Sequence, residues 1–190
     1  APLACGGLTA YRAVDHGIKA LAPMQRQGRV LLIGVGGLGQ YAIRYLRLLT
    51  NANIIALDVA EDKRSRALEL GADEAIGPDE DIAPCDLIID FIGSDITLAT
   101  AAGAVARKGM IIVVGLGGGQ TNFGLGKVPP EARFMTSFWG TRQQMDELLE
   151  LARREPSIMP SVETLPLSDA QHAHNRLREG RVAGRVVLIP

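Results

Sequence analysis

The chain has 190 residues, enough for one large domain or one and a fraction, and 47% of them are hydrophobic, enough for a buried core. Its formal net charge is −1, so the composition indicates no nucleic-acid partner and no anionic-membrane partner. No uninterrupted apolar run reaches about 18 residues, so the sequence predicts no membrane span. Cys5 and Cys85 stand far apart, which indicates no disulfide framework and fits a reducing, cytoplasmic location.

Short apolar runs alternate with helical periodicities along the sequence and predict an α/β fold. The segment from Pro2 to Lys19 is predicted as helix or turn. The predicted strands are Arg29 to Ile33, Asn53 to Leu57, Glu74 to Ile76, Leu87 to Ile92, Met110 to Val114, Phe134 to Trp139 and Arg185 to Ile189. The predicted helices are Gly37 to Leu49, Glu61 to Leu70, Ile96 to Val105, Met145 to Arg153, and a last helix from Ser168 to about Leu177. Gly71 is the predicted C-cap of the second helix, and Ser168 with Gln171 resembles a capping box at the start of the last.

This alternation predicts a doubly wound parallel sheet, the Rossmann fold, with right-handed crossovers. In such a sheet the third strand lies at one edge and the fourth lies beside the first. The link from Gly77 to Pro84 has eight residues, which span at most about 26–29 Å. That length can cross the sheet but leaves no room for a helix.

Residues 29–40 form an apolar run, a glycine turn and the start of a predicted helix, the arrangement that binds a dinucleotide. Gly34 allows the sharp turn, and Gly39 lets the helix pack closely on the strand. Gly36 and Gly37 have no Cβ, so a pyrophosphate can approach the backbone, where free N–H groups and the helix dipole favour its charge. No Lys-Ser/Thr pair follows Gly39, which excludes a phosphate-loop nucleotidase.

An acidic residue, Asp58, closes the next apolar run, nineteen residues after Gly39. Its carboxylate can accept hydrogen bonds from the adenosine ribose and would repel a 2′-phosphate, so NAD is predicted over NADP. The alternative is a surface aspartate that caps the helix beginning at Glu61. Lys63 and Arg64 are nearby cations that would tolerate NADP, and the alternative for both, more strongly for Arg64, is a solvated helix face.

Two further strand ends carry glycines at the edge where ligands of such sheets bind. Glycines there let the riboses approach the backbone, whereas the alternative is simple turn chemistry. The alternatives are balanced for Gly93, and contact is favoured for Gly115 and Leu116. The candidate contacts are Phe91, Ile92, Gly93, Val114, Gly115 and Leu116.

The remaining reactive side chains form no recognisable catalytic pattern, so no catalytic residue is assigned in this chain. The pattern alone favours a buried structural role for Cys5 and a core position for Cys85. His172 and His174 flank one residue of a predicted helix, so they cannot share a face and are predicted at the surface or in an interface. No Ser/His/Asp set, paired-carboxylate motif or Cys-x-x-Cys is present.

Segments along nearly the whole chain resemble the cofactor-binding part of the medium-chain, zinc-dependent alcohol dehydrogenases. They are Pro2 to Tyr11, the doubled-glycine turn Gly34 to Gly39, Leu70 to Asp73, Trp139 to Arg142 and Arg178 to Val187. The resemblance implies an NAD-dependent oxidoreductase that transfers hydride between an alcohol or carbonyl substrate and NAD.

The resemblance also implies roles for particular residues. Cys5 would be one of three protein ligands of a catalytic zinc ion. The strand from Phe134 to Trp139 would pair across a two-fold axis in a homodimer or homotetramer. The implied NAD contacts are Thr9 and Leu38 near the nicotinamide, Asp58 and Lys63 at the adenosine ribose, Leu116, Ser137, Phe138 and Trp139 on the carboxamide side, and Arg185 near the pyrophosphate.

The family's N-terminal catalytic domain does not occur in this sequence, and with it the other zinc ligands and most of the substrate pocket are missing. The resemblance therefore implies a cofactor-binding portion that is inactive alone, with zinc only in the full-length enzyme.

The resemblance divides the chain into an entry segment at 1–10, an NAD-binding domain at 11–154 and a helix–strand extension at 155–190 that belongs partly to the absent domain. In that extension Leu165, Leu167 and Val186 to Ile189 are expected to expose apolar surface. The alternatives are a zinc-free quinone or enoyl reductase, which would not need Cys5, and a non-catalytic nucleotide-binding module.

Overall fold

The computed structural model describes residues 2–22, 27–182 and 184–190. Ala1 of the predicted entry segment and Ala183 of the predicted closing motif lie outside the described residues. The chain begins with a π-helix, Leu3–Gly7, that continues directly into the first α-helix.

The main sheet contains β1 Arg29–Ile33, β2 Asn53–Leu57, β3 Glu74–Ile76, β4 Cys85–Asp90, β5 Val105–Val113 and β6 Arg133–Thr136. The helices that accompany it are α1 Leu8–Leu21, α2 Gly39–Leu49, α3 Glu61–Glu69, α4 Asp95–Ala104 and α5 Arg142–Arg154. The C-terminal unit contains β7 Val162–Pro166, α6 Ala170–Arg178 and β8 Arg185–Ile189, with 3-10 turns at Pro156–Ile158 and Leu167–Asp169.

The six strands are parallel and run in the order β3-β2-β1-β4-β5-β6, which confirms the doubly wound prediction. The strand order reverses beside β1, so a crevice opens at the carboxyl ends of β1 and β4. The glycine turn follows β1 and the Phe91 turn follows β4, so both lie at that crevice. No helix forms between β3 and β4, as the short link predicted.

The central strands are buried on both faces because helices cover both sides of the sheet. On one face Leu32, Ile54 and Ile89 pack in a cluster with α1, α2 and α5. On the other face, alternate residues such as Ile33 and Ile88 pack against α4. This two-sided burial explains why the strands are almost continuously apolar in sequence.

The predicted sixth strand is too long at its C-terminal end. β6 ends at Thr136, and Trp139 has φ +50, a left-handed backbone conformation that ends extended structure. The fourth strand likewise ends at Asp90 rather than Ile92, so Phe91 and Ile92 belong to the turn.

The predicted capping box at Ser168 is wrong. The Ser168 hydroxyl lies 3.3 Å from Asp169 Oδ1, and α6 begins after Asp169 without a side-chain cap bond. The capping boxes found are at Ser94 with Thr97 and at Thr141 with Gln144. A serine three residues before a glutamine was therefore not sufficient to place a helix start.

The C-terminal unit contains a strand that the sequence did not predict. β7 pairs in parallel with β8 in a separate two-stranded sheet. Of the side chains expected to expose apolar surface, Leu167 and Ile189 are exposed, whereas Leu165 and Val186 to Leu188 are half-buried. Within the described segments, no helix is long and apolar enough to cross a lipid bilayer.

Candidate functional site

Steric limits at two glycines shape the turn after β1. Gly34 has φ +91, in the left-handed region that glycine adopts without strain. A Cβ on Gly39 would lie 2.1 Å from the carbonyl oxygen of Gly34, so α2 can begin this close to the turn only without a side chain there. A Cβ on Gly36 would meet no atom within 4 Å. Packing therefore does not require glycine at position 36, and its absent side chain leaves open space above the turn.

The start of α2 presents backbone N–H groups to this space. The N–H groups of Gln40 and Ala42 donate to the carbonyls of Gly36 and Leu38. Within residues 2–22, 27–182 and 184–190, the N–H groups of Gly36, Gly37 and Leu38 have no protein acceptor. Unpaired N–H groups at the positive end of a helix dipole form a site suited to an anion such as phosphate.

Asp58 follows β2 and contacts the glycine turn. Its side chain is only 6% exposed. Its Oδ2 accepts a hydrogen bond from the N–H of Val35 at 2.8 Å, and its Oδ1 accepts one from the N–H of Ala60 at 3.0 Å. The helix-capping alternative is wrong, because Asp58 is buried and Ala60 is the N-cap of α3. A carboxylate has about four acceptor positions, so Asp58 retains capacity for ribose hydroxyls.

Two cations lie beside Asp58. The Nζ of Lys63 is 3.9 Å from Oδ1 of Asp58, and the Lys63 side chain is 42% exposed. The interpretation of Arg64 as part of a solvated helix face is wrong. Its Nη1 donates to the carbonyls of Asp58 at 2.9 Å and Val59 at 3.0 Å. Arg64 therefore stabilises the strand end, and Lys63 is the cation free to reach a ligand.

The turns after β4 and β5 pack backbone against backbone. Gly93 has φ +71, and a Cβ on it would lie 2.4 Å from the carbonyl oxygen of Gly115. Likewise, a Cβ on Gly115 would lie 2.1 Å from the carbonyl carbon of Ile92. This packing accounts for both glycines, and it leaves the adjacent Leu116 side chain 84% exposed at the crevice.

Asp90 is a site residue that the sequence reasoning did not select. It is fully buried at the end of β4, and its Oδ1 accepts hydrogen bonds from the N–H groups of Ile92 at 2.8 Å and Gly93 at 3.0 Å. Its Oδ2 has no partner among the described residues. Asp90 thus fixes the shape of the turn. The available signal was an acidic residue at the end of an otherwise apolar strand.

The residues expected near the nicotinamide have different environments. Thr9 is buried on α1, and Leu38 is partly exposed at the glycine turn. Ser137 is buried, its N–H donates to the Val113 carbonyl at 2.8 Å, and its Oγ has no partner among the described residues. Phe138 and Trp139 are instead 59% and 60% exposed, with their rings stacked 5.4 Å apart.

The C-terminal unit brings Arg185 to the glycine turn. Its Nη2 donates to the carbonyl of Gly37 at 3.3 Å, and its Cζ lies 5.8 Å from the ring centre of Tyr41. A cleft of about 550 Å³ lies between the turn, α3 and the C-terminal unit. Lys63, Arg66 and Arg181 are among its lining residues, so the cleft carries cations as well as free N–H groups.

The two cysteines have opposite environments. Cys5 is exposed, so the expectation of a buried structural cysteine is wrong. Cys85 is buried in the core as predicted, and burial raises the pKa of its thiol to about 11. His172 and His174 are exposed, as predicted. In the described part of the chain, no group of three or more His, Cys, Asp or Glu residues is placed to hold a metal ion.

The parallel sheet with its glycine turn at the strand-order reversal defines a Rossmann-type domain. The profile of a family described as "Zinc-binding dehydrogenase" matches residues 37–154, and the chain belongs to that family. An NAD-dependent alcohol dehydrogenase of Sulfolobus acidocaldarius is 34% identical over 199 aligned positions, which cover 98% of this chain and 56% of that protein.

Solved structures of longer chains show the same relationship. The alcohol dehydrogenase of Aeropyrum pernix has a TM-score of 0.87 and 34% identity, covering 100% of this chain and 57% of that one. Acetophenone reductase from Geotrichum candidum, solved in complex with NAD, has a TM-score of 0.84 and 26% identity, covering 100% and 55%. The chain thus spans about half the length of the curated relatives it matches.

Proposed function

We propose that this chain is the cofactor-binding part of an NAD-dependent alcohol dehydrogenase, an oxidoreductase acting on a small alcohol or carbonyl compound. The observation that carries the proposal is the open glycine turn at Gly36 with the buried carboxylate of Asp58 beside it. A relative from Sulfolobus acidocaldarius named as an NAD-dependent alcohol dehydrogenase supports the reaction class.

The residues present fit a dinucleotide. The unpaired N–H groups of Gly36, Gly37 and Leu38 would bind the pyrophosphate together with Arg185, and Asp58 would accept hydrogen bonds from the adenosine ribose. The nicotinamide, when bound, supplies the hydride acceptor for alcohol oxidation. The complete proposed contact set is Thr9, Gly34, Gly36, Gly37, Leu38, Gly39, Asp58, Lys63, Phe91, Ile92, Gly93, Val114, Gly115, Leu116, Ser137, Phe138, Trp139 and Arg185.

The preference for NAD over NADP follows from Asp58. A 2′-phosphate would approach a buried carboxylate. Of the two cations beside Asp58, Lys63 is the one that faces this carboxylate, with its Nζ 3.9 Å from Oδ1, whereas Arg64 donates to backbone carbonyls. Titration of the chain with NADH and NADPH, followed by nucleotide fluorescence, is expected to show tighter binding of NADH. Tighter binding of NADPH would contradict the role of Asp58.

Zinc dependence is a separate proposal and concerns a longer protein. A catalytic zinc site needs about three protein ligands and an open position. The described residues do not provide such a set, so no catalytic step is assigned to zinc here. The exposed thiol of Cys5 would be one ligand. Loss of zinc in the Cys5→Ser variant of the full-length protein would support this role, whereas unchanged zinc content and unchanged activity would support the zinc-free reductase alternative.

We also propose that two copies of the chain associate along β6, as a homodimer or as half of a homotetramer. Among the described strands β6 lies at an edge of the main sheet, where one row of backbone groups is left unpaired, and the exposed Phe138–Trp139 stack follows it after Ser137. Sedimentation analysis should show a dimer or tetramer that Phe138→Asp/Trp139→Asp converts to monomer, with unchanged circular dichroism. A wild-type monomer at micromolar concentration would refute this interface.

The decisive experiment uses the 190-residue chain itself. It is expected to bind NADH and to show no zinc-dependent oxidation of ethanol or 2-propanol, because residues 11–154 are proposed as the NAD-binding domain and residues 1–10 and 155–190 as connections to a catalytic domain. Absence of NADH binding would overturn the proposed function. Turnover of either alcohol would overturn the proposed division of the protein into this cofactor-binding part and a separate catalytic domain.

Free thiols at Cys5 and Cys85 support a proposed cytoplasmic location.

A further inference from the structure

The guanidinium of Arg185 lies against two glycines from distant parts of the chain. A Cβ on Gly6, in the π-helix, would lie 1.6 Å from Nη2 of Arg185 and 2.7 Å from its Cζ. A Cβ on Gly37, in the glycine turn, would lie 3.2 Å from Nη1. Real Cβ atoms do not approach other atoms to within 3.0 Å. The guanidinium can therefore occupy this position only if residue 6 has no side chain.

We propose that Gly6 is a positioning residue of the dinucleotide site. The missing side chain at Gly6 places the guanidinium of Arg185 beside the glycine turn, where it takes part in binding a pyrophosphate. This inference rests on the proposed function, since pyrophosphate binding at the turn is itself a proposal. It adds a requirement for dinucleotide binding, namely glycine at position 6, that belongs to neither the glycine turn nor Asp58, the acid that follows β2.

Arg185 has hydrogen-bonding capacity left for an anion at this position. A guanidinium carries five N–H donors, and Nη2 uses one of them for the carbonyl of Gly37. Its Nε is buried and has no acceptor among the described residues. A buried donor without an acceptor is unfavourable, and phosphate oxygens accept two N–H groups of arginine at once. The Nη1 and Nη2 atoms, which lie nearest to Gly37, are the donors that a phosphate at the turn would engage.

The steric conflict at Gly6 would affect ligand binding rather than folding. The atoms that a Cβ on Gly6 would meet belong to the end of a long, flexible side chain, which can move aside. Gly6 does not have a positive φ, so alanine is compatible with its backbone. Gly39 differs, because its missing Cβ would meet backbone that cannot move independently. We therefore expect Gly6→Ala to fold normally with a displaced Arg185.

A double-mutant cycle measures this coupling. NADH dissociation constants are compared for the wild-type chain, Gly6→Ala, Arg185→Ala and the double variant. Each single change is expected to weaken NADH binding about ten- to a hundredfold, the loss of one charge-assisted hydrogen bond or more. The double variant should bind no more weakly than Arg185→Ala. Gly103→Ala, in helix α4 with no atom within 4 Å of the added Cβ, is the matched control and should bind like wild type.

Two results of the cycle would overturn the inference. One is a Gly6→Ala chain that binds NADH as tightly as wild type. The other is a double variant in which the two losses multiply, because Gly6 would then act independently of Arg185.

A ligand-free measurement separates failure of this inference from failure of the proposed function. The Nε–H signal of Arg185 in a proton–nitrogen correlation spectrum can be assigned by its loss in Arg185→Ala. Gly6→Ala should shift that signal, and Gly103→Ala should not. An unshifted signal overturns the placement of Arg185 by Gly6, whether or not NADH binds. A wild-type chain that binds no NADH overturns the proposed function and the pyrophosphate role, while the spectrum still decides the placement.

Discussion

Two alanine substitutions in the glycine turn should separate folding from ligand binding. In Gly39→Ala, the new Cβ would lie 2.1 Å from a backbone oxygen and must move by about 0.9 Å to reach the closest contact seen in proteins. Overpacking lowers the free energy of unfolding by about 1–3 kcal/mol. We expect about 3 kcal/mol for Gly39→Ala, because the new Cβ meets backbone rather than a side chain that can move aside. The better helix propensity of alanine, worth about 1 kcal/mol in a helix interior, offsets at most that much, because Gly39 is the first residue of α2. The net loss of about 2 kcal/mol or more lowers Tm by roughly 4–8 °C or more in a chain of this size.

Gly36→Ala should show the opposite result. Its Cβ meets no atom within 4 Å and its φ is not positive, so the free energy of unfolding should stay constant or rise by about 0.4–1 kcal/mol. The methyl group would occupy the space above the turn and displace the phosphate. Loss of one charge-assisted hydrogen bond, about 1.5–3 kcal/mol, weakens NADH binding roughly ten- to a hundredfold.

Thermal unfolding and NADH fluorescence titration of both variants, with Gly103→Ala as control, test this reasoning. The assignment of a packing role to Gly39 and a ligand role to Gly36 fails if Gly36→Ala lowers Tm as much as Gly39→Ala. It also fails if Gly36→Ala binds NADH like the wild-type chain.

Three further predictions concern charged and reactive side chains. Asp58→Asn should weaken NADH binding. It should also reduce the ratio of the NADPH to the NADH dissociation constant, because the substitution removes the charge that repels a 2′-phosphate; an unchanged ratio would contradict this. Burial raises the pKa of the Asp73 carboxyl, but hydrogen bonds from Ile54 N–H and Arg47 outweigh burial and lower it below 3.8. The stability that Asp73 contributes should therefore be present above about pH 3.8 and be lost as the pH falls through its lowered native pKa. In denaturant unfolding, the free energies of unfolding of Asp73→Asn and wild type should differ at pH 7 and converge in acid. An aromatic disulfide reagent at pH 8 should label Cys5 and leave Cys85 unreacted until the chain unfolds, since burial raises the pKa of Cys85 to about 11; rapid native labelling of both would refute its burial.

Local pattern was sufficient for much of the fold. The bounds of β1, β2, β3 and β8 agree with the predicted strands, because their apolar runs are bounded by glycine, proline or polar residues. The places of the third strand at one edge and of the fourth strand beside the first followed from the doubly wound fold type. β7 was not predicted because its residues are mostly exposed, so burial left no periodic signature in its sequence. β6 was predicted too long because nothing in Ser137 to Trp139 indicates the left-handed backbone that follows the strand.

The residues of the candidate site also fall into those that local sequence predicts and those that only the tertiary structure brings together. The sequence by itself determined the glycine turn and the acid at Asp58, because both depend on residues close together along one strand–turn–helix unit. Only the tertiary structure decided that Cys5 is exposed, and that Arg185 reaches Gly37 from 148 positions away. Periodicity reports which side of an element is buried, but not which distant side chain packs against it. Contacts between elements far apart in sequence form only when the sheet and its C-terminal unit assemble.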